Sequence, residues 1–402
     1  MRGIGRQAGS GRAGFVAQLT LLAFLSAFTA NANIPQAQSH DIDHARLWRA
    51  YISTFISSDG RVLDPQTGNR TTSEGQSYAL FFALVNNDRP LFNKLLAWTQ
   101  NNLASGDLAT HLPAWSWGQK KDGHWGTLDP NSAADSDLWI AYDLLEAGRL
   151  WNSPKYSTLG RQVATQIASR EVADLPGFGE AIVPGPTGFR SGATWVLNPS
   201  YSPVFLLDRL ALGDSLGIWA SVSKEMPSLI ERSTVKGFAM DWVCYTPGHG
   251  FSPCVSNGQK PQQPMGSYDA IRVYLWAGML PETNGAKARL LKALPGMGLY
   301  LGQHSAPPEK VNSDGIPGAT DGPVGFSAGL LPYLQGISAE SSFAQQLVRI
   351  KSQLNEKSNL YGTGFGSGPT YYDQNLVLFG SGWIEKRFQF ESNGELLVRW
   401  SR

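Results

Sequence analysis

Three short segments place carboxylates at the start of apolar helical patterns. They are Ser73-Glu74-Gly75-Gln76-Ser77-Tyr78, Asn131-Ser132-Ala133-Ala134-Asp135-Ser136-Asp137, and Gly266-Ser267-Tyr268-Asp269-Ala270-Ile271-Arg272. A single acid at such a place is explained by capping or by the helix dipole. Ser73 is expected to cap the first helix, with Glu74 in its first turn and Gly75 leaving one side open. Asp135 is expected to cap the second, yet a cap does not require the second aspartate, Asp137. An Asp-x-Asp pair can also hold a metal, but no third ligand follows it. Arg272 falls one turn after Asp269, where an i,i+3 ion pair would keep that carboxylate ionised, as a general base must be. Carboxylates held at different protonation states are the equipment of general acid–base chemistry.

Such chemistry requires segments nearly two hundred residues apart to meet. Apolar positions recur at three- and four-residue steps over 41–57, 74–86, 90–103, 136–151, 156–170, 203–212, 214–232, 267–280, 286–300, 324–335, 339–354 and 371–386. About twelve helices follow from this periodicity. They alternate with short turns and long Gly/Pro-rich loops, and no composition shift marks a domain boundary. The fold class is therefore all-α: helical hairpins closed into a double ring, with small β excursions. In such a toroid the inner helices run parallel, so that Glu74, Asp135 and Asp269 gather at one mouth. One β-hairpin is expected through Ser392-Asn393-Gly394-Glu395, between 388–390 and 396–398. The stretch 181–183 offers local pairing.

Composition narrows the ligand. Lys and Arg total 33 against 32 Asp and Glu. Residues 1–32 read as a secretory signal peptide, with Arg2, Arg6 and Arg12, an apolar run from Phe15 to Phe28, and Ala30-Asn31-Ala32 as the cleavage pattern. The expected mature domain is 33–402, exported to the periplasm or beyond, with no membrane-spanning stretch. Without the leader arginines, acids exceed bases by two. No basic stripe addresses nucleic acid. The 13 Trp, 13 Tyr and 18 Phe, several in polar loops, suit a neutral ligand with flat faces, such as a sugar polymer. Trp115, Trp117, Trp125 and Tyr201 are candidates for stacking on it, with core packing the alternative for each. Cys244 and Cys254 bracket a hairpin-like loop and are a disulfide candidate in an oxidising compartment. The scattered histidines give no zinc spacing, and Gly362–Gly368 lacks the Lys-Ser/Thr of a phosphate loop.

The three acidic segments together resemble glycoside hydrolase family 8. The family pattern Ala-[Ser/Thr]-Asp-[Ala/Gly]-Asp-x-x-[Ile/Met]-Ala is carried by Ala133, Asp135, Asp137, Ile140 and Ala141, with departures at Ala134, Ser136 and Asp143. The likeness is strongest to members that accompany bacterial cellulose synthase. It runs in order through 71–78, 112–115, 145–151, 198–201, 267–274, 307–311 and 322–328. The resemblance implies an (α/α)6 barrel and endo-acting, inverting hydrolysis of a β-1,4-glucan. Glu74 is then the general acid, Asp269 the base that activates water, and Asp135 the group that holds a distorted sugar. An older reading of the family signature makes the Asp135 position a nucleophile. Tyr268 and Arg272 belong to the motif and join the substrate-binding set. No metal or organic cofactor is implied. The implied partners are the glucan and, for such members, the synthase's export machinery. Chitosan, mixed-linkage glucan and xylan are alternative substrates, and a non-catalytic glucan-binding protein is an alternative function. A helix dipole favours an ionised carboxylate, whereas an acid catalyst needs its proton. Asp135 is therefore expected within interaction range of Glu74.

Overall fold

The computed structural model describes residues 42–256, 263–362 and 369–401. The leader, the segment 33–40 and the glycine-rich stretch 363–368 lie outside the described residues.

Fourteen helices are present among them. They are α1 (His44–Phe55), α2 (Ser73–Val85), α3 (Arg89–Leu103), α4 (Ala134–Leu150), α5 (Pro154–Arg170), α6 (Val204–Ala211) and α7 (Ile218–Ser233). The second half supplies α8 (Ala270–Met279), α9 (Gly285–Ala293), α10 (Pro295–Leu301), α11 (Val324–Gly329), α12 (Leu331–Gly336), α13 (Glu340–Ser352) and α14 (Tyr371–Ile384). Two single helices expected over 286–300 and 324–335 are each split in two. Pro295 and Pro332 sit in the first turn of α10 and α12, where a ring without an N–H stops the preceding ladder and starts a new one.

Burial sorts these helices into two layers. In α2, α4, α8 and α14 nearly every residue is buried, around the whole circumference. In α3, α5, α9 and α13 the buried positions form one stripe. A helix that is apolar all round must be surrounded by others, and a striped one faces solvent. The packing follows suit: α2 lies on α3 and α4, α4 on α5 and α6, α6 on α7, α8 on α9 and α12, and α11 on α13 and α14. Finally α14 packs on both α1 and α2, so the first helix supplies the outer partner of the last. This is an (α/α)6 barrel. Its seam is closed by the His44 backbone N–H donating to Glu385 at 2.9 Å and by the His44 ring against Ser381 Oγ at 3.2 Å.

Aromatic rings fill the lumen. Phe81 of α2, Trp139 of α4, Phe205 of α6, Trp276 of α8 and Phe379 of α14 meet there. Centroid distances include 4.9 Å for Phe81–Trp139 and 5.2 Å for Trp276–Phe379. The hairpin Phe388–Phe390/Leu396–Val398 has the expected register and closes one end, Phe390 stacking on Phe205 at 3.9 Å. Its turn demands glycine. Gly394 has φ +80°, and a Cβ there would meet the Phe205 carbonyl oxygen at 2.0 Å and the Arg209 nitrogen at 2.6 Å. Gly394→Ala is expected to cost at least about 2 kcal/mol through strain and overpacking, read as a lower urea midpoint at unchanged slope. A midpoint equal to wild type would contradict this packing.

More β structure is present than the sequence pattern indicates. The loop-rich stretch before Asp135 is a twisted ribbon, Ala114–Gln119 paired with Trp125–Ser132 and, on its other edge, with Thr71–Thr72. Trp115 and Trp117 alternate with small residues, a strand spacing masked by the short segment. A four-stranded sheet joins Arg190–Ser191, Thr194–Leu197, Val243–Thr246 and Gly250–Pro253. Gly179–Ile182 pairs with Val172–Leu175. Cys244 and Cys254 are joined by a disulfide across the 243–253 hairpin.

Candidate active site

The acidic segments open α2, α4 and α8, but the capping differs from expectation. Thr72, not Ser73, caps α2 by accepting from the Gly75 N–H at 3.1 Å; Ser73 Oγ instead bonds Ser136 Oγ at 2.6 Å. The side of the turn left open by Gly75 faces Tyr371, whose Cε2 lies 3.4 Å from where a Cβ would stand. Asp135 lies inside α4 and caps nothing, its Oδ1 accepting only from the Ser136 N–H at 2.8 Å. Asp269 occupies the N-cap position of α8 without making a cap bond. Thr72 serves the start of α2 and the Pro184 carbonyl accepts from the Ala134 N–H at the start of α4, which leaves the Glu74 carboxylate and Asp135 Oδ2 for other partners.

They converge on one cation. Arg272, its side chain 1 % exposed, donates from Nη1 to Glu74 Oε2 at 2.8 Å, to Asp135 Oδ2 at 3.2 Å and to Tyr78 OH at 3.1 Å. From Nη2 it donates to Asp269 Oδ1 at 2.7 Å and to Ser200 Oγ at 3.1 Å. The i,i+3 pair with Asp269 is thus one arm of a fork that also crosses the barrel. Tyr78 stands edge-on to Trp139 and Phe379, so the guanidinium rests directly on the aromatic lumen. Ser200 is held by an Asx turn, its N–H and Oγ both bonded to Asn198 Oδ1. The Tyr201 ring lies 5.7 Å from the guanidinium carbon. A planar donor fork can serve several carboxylates at fixed angles, which a lysine cannot.

Burial and charge act on these groups in opposition. Asp135 is pushed up to about 7, chiefly by burial, with Arg272 pulling it down and the Glu74 charge pushing it up. Near neutral pH Asp135 therefore exists in both its protonated and its ionised form. Behind it lies a second carboxyl pair. Asp137 is fully buried in the first turn of α4, beside Glu171 at the C-terminal end of α5. Burial and their mutual repulsion hold the Asp137 carboxyl well above the usual range; burial pushes Glu171 up to about 8, and Ser132 Oγ donates to it at 2.5 Å. Asp137 thus answers to a carboxyl partner; among the described residues no group of three or more His, Cys, Asp or Glu could hold a metal ion.

This pair makes stability pH-dependent with a definite sign. Between pH 4.5 and about 8 the folded chain keeps a Glu171 proton that the unfolded chain releases, so the contribution falls as pH rises. Glu171→Gln cannot ionise. Its melting temperature is expected to gain on wild type by a few degrees between about pH 5 and about pH 8. A gap that stays constant with pH would contradict the protonated state assigned to buried Glu171.

Two cavities meet at Tyr268, and the smaller one is lined by Asp269. One, about 520 Å³, is lined by Tyr268, Tyr371, Tyr372, Asp64, Asp321 and Asp373 among others. The other, about 270 Å³, is lined by Asp241, Trp242, Ser267, Tyr268, Asp269 and Glu309 among others. The larger contains none of the three acids, but Tyr268, 43 % exposed, belongs to both and joins them beside Asp269. Tyr372 OH bonds the Tyr268 carbonyl.

A family model described as glycosyl hydrolases family 8 matches residues 13–386. The chain belongs to that family. An endoglucanase of Xanthomonas axonopodis pv. citri is 43 % identical to this hydrolase over 355 residues, 88 % of this chain and 89 % of its own length. An endoglucanase of Escherichia coli O157:H7 is 40 % identical over 356 residues, 88 % of this chain and 91 % of its own. The crystal structure of an endo-1,4-D-glucanase from Vibrio fischeri ES114 superposes with a TM-score of 0.81 at 38 % identity, covering 89 % of this chain and 99 % of that one.

The hydrolase thus brings Glu74, Asp135, Asp269, Arg272, Tyr201 and Tyr268 together. Trp115 and Trp117 stand apart from this network. Trp117 is wedged against Trp98 and Trp125 under Arg61 at 4.4 Å, and Trp115 has Arg70 at 5.4 Å. Both are half-buried on the ribbon whose edge carries Thr72, so they rise beside the mouth. Sequence reasoning missed Asp241, Trp242, Tyr371, Tyr372 and Glu171. Thr370-Tyr-Tyr-Asp373 is a helix start like the other three, with Thr370 capping and Asp373 in the first turn, and the same rule finds it. Glu171 had a signal too, being an acid at a helix C-terminus, where the dipole disfavours it.

Proposed function

We propose that this family 8 hydrolase cuts β-1,4-glucosidic bonds inside glucan chains, with inversion at the anomeric carbon. In this reading Glu74 protonates the departing glycosidic oxygen. Asp269 takes a proton from the attacking water, and Asp135 holds the sugar at the cleavage point in a distorted form. The observation that carries the reading is Arg272, which binds Glu74 and Asp135 through one nitrogen and Asp269 through the other. The arrangement keeps the acid and the base as separate carboxylates beside the space for substrate and water. An inverting pair needs about 6.5–9.5 Å between its carboxyls to admit that water. The endo mode is supported by the endoglucanase names of the relatives and by two cavities that share Tyr268 beside Asp269, which offer a chain room. The water is the one co-substrate the chemistry needs.

The proposal extends to context. The leader before Asn33 directs export to the periplasm or beyond, the segment from residue 33 to 402 acts as one catalytic domain, and the glucan is cellulose trimmed as it is made. This rests on the ordered segments from 71 to 328 that resemble members accompanying cellulose synthase, and the synthase's export machinery is the matching second partner. No helix among the described residues is long and apolar enough to cross a membrane.

The test uses the chain from Asn33 on carboxymethyl-cellulose, following viscosity and reducing ends together for wild type, Glu74→Gln, Asp135→Asn and Asp269→Asn. A steep viscosity fall with few new reducing ends, lost in all three variants, is the expected result. Binding of the polymer by wild type without new reducing ends would overturn it in favour of a glucan-binding protein.

A further inference from the structure

Asp241 lies outside every helix, between α7 and the disulfide-closed hairpin, yet it organises the start of α8. Its Oδ1 accepts from the Ser267 N–H at 2.7 Å and from the Ala270 N–H at 2.8 Å. Its own N–H donates to the Met265 carbonyl at 2.9 Å. Three bonds from one residue thus clamp the backbone on both sides of Asp269. The clamp is tight, since a Cβ on Gly266 would stand 2.1 Å from the Ala239 carbonyl oxygen. Asp241 is itself anchored, because the hairpin beginning two residues later is closed by Cys244–Cys254 and by the Cys254 N–H donating to the Trp242 carbonyl at 3.1 Å.

The consequence falls on Asp269. A residue at an N-cap position ordinarily turns its side chain back onto its own helix. Here the Ile271 and Arg272 N–H groups that such a side chain would reach already donate to the Ser267 and Asp269 carbonyls, each at 3.0 Å. Asp241 takes the Ala270 N–H before them, and the Asp269 carboxylate instead reaches Arg272 and the smaller cavity. We propose that Asp241 is the positioning residue for Asp269: it caps α8 in place of Asp269 and so holds that carboxylate in the site. The inference rests on the reading of Asp269 as the base.

What Asp241 supplies is an acceptor at a fixed point, and this separates the variants. Asp241→Asn keeps that oxygen and removes the charge; Asp241→Glu keeps the charge and displaces the oxygen; Asp241→Ala removes both. Steady-state kinetics on cello-oligosaccharides, normalised to folded protein, are expected to show Asp241→Asn within about threefold of wild-type kcat. Asp241→Ala and Asp241→Glu fall by about tenfold to a hundredfold with KM within about twofold, as for a misplaced catalytic group. Wild-type kcat in Asp241→Ala, with only a lower melting temperature, would reduce Asp241 to a structural cap and overturn the proposal. If that variant does not fold, the other two decide: an active Glu variant beside an impaired Asn variant overturns it. Asp269→Asn serves as the independent control. Retained activity there would remove the base assignment itself, whatever Asp241 does.

Discussion

Replacing Arg272 with methionine is expected to abolish activity, by at least about a thousandfold, and to destabilise the fold by about 3–5 kcal/mol, the range for removing one partner of a buried ion pair. Among the described residues the guanidinium is the one cation bonded to Glu74, Asp135 and Asp269, and it sits against the aromatic lumen, its side chain 1 % exposed. Without it, the carboxyls, of which burial already raises Asp135 with the Glu74 charge adding to it, would take up further protons. Arg272→Lys separates charge from geometry. A lysine restores the charge as a single compact point but cannot direct bonds to Glu74, Asp135, Asp269, Ser200 and Tyr78 at once. Stability should recover in large part, while kcat stays down by about a hundredfold or more. Wild-type kcat in Arg272→Lys would mean that the fork organises nothing.

Glu74→Gln carries the second large effect, and the leaving group makes it specific. General-acid catalysis contributes about 10²- to 10⁴-fold where the departing oxygen is a poor leaving group. With cellopentaose, kcat/KM should fall by that factor. With a dinitrophenyl cello-oligosaccharide, whose phenolate leaves without a proton, the loss should shrink to about tenfold or less. Asp269→Asn should be equally damaging on both substrates, since water must be activated in either case. Equal losses for Glu74→Gln on the two substrates would take the acid role away from it.

The acids were legible because each stands at a helix start, a local signal that survives in sequence. The barrel was legible from number: about twelve helical patterns with no composition break suggest hairpins closed into a double ring. What local pattern could not show was reach. Arg272 reads as the i,i+3 neighbour of Asp269, and that pair is real. Its bonds to Glu74 and Asp135 span 198 and 137 residues, and only ring closure creates them. The caps were misread for the same reason. Nothing near Asp269 reveals that a residue 29 positions from Ala270 has already taken the helix end. For Trp117 the sequence leaves two alternatives, sugar platform or packing, and the structure sets it edge-on to Trp98, stacked on Trp125 and under Arg61. The paired Asp137 and Glu171 meet across the α4–α5 hairpin, which explains the second aspartate that capping could not.

The most direct test of the central claim is stereochemical. Proton NMR of cellopentaose hydrolysis, recorded before mutarotation sets in, reports the first anomer released. If Glu74 and Asp269 act as acid and base on opposite faces of the bond, the α-anomer appears first and the β-anomer grows in later. The β-anomer appearing first would mean a covalent intermediate, with Asp135 as its nucleophile, and would contradict the account.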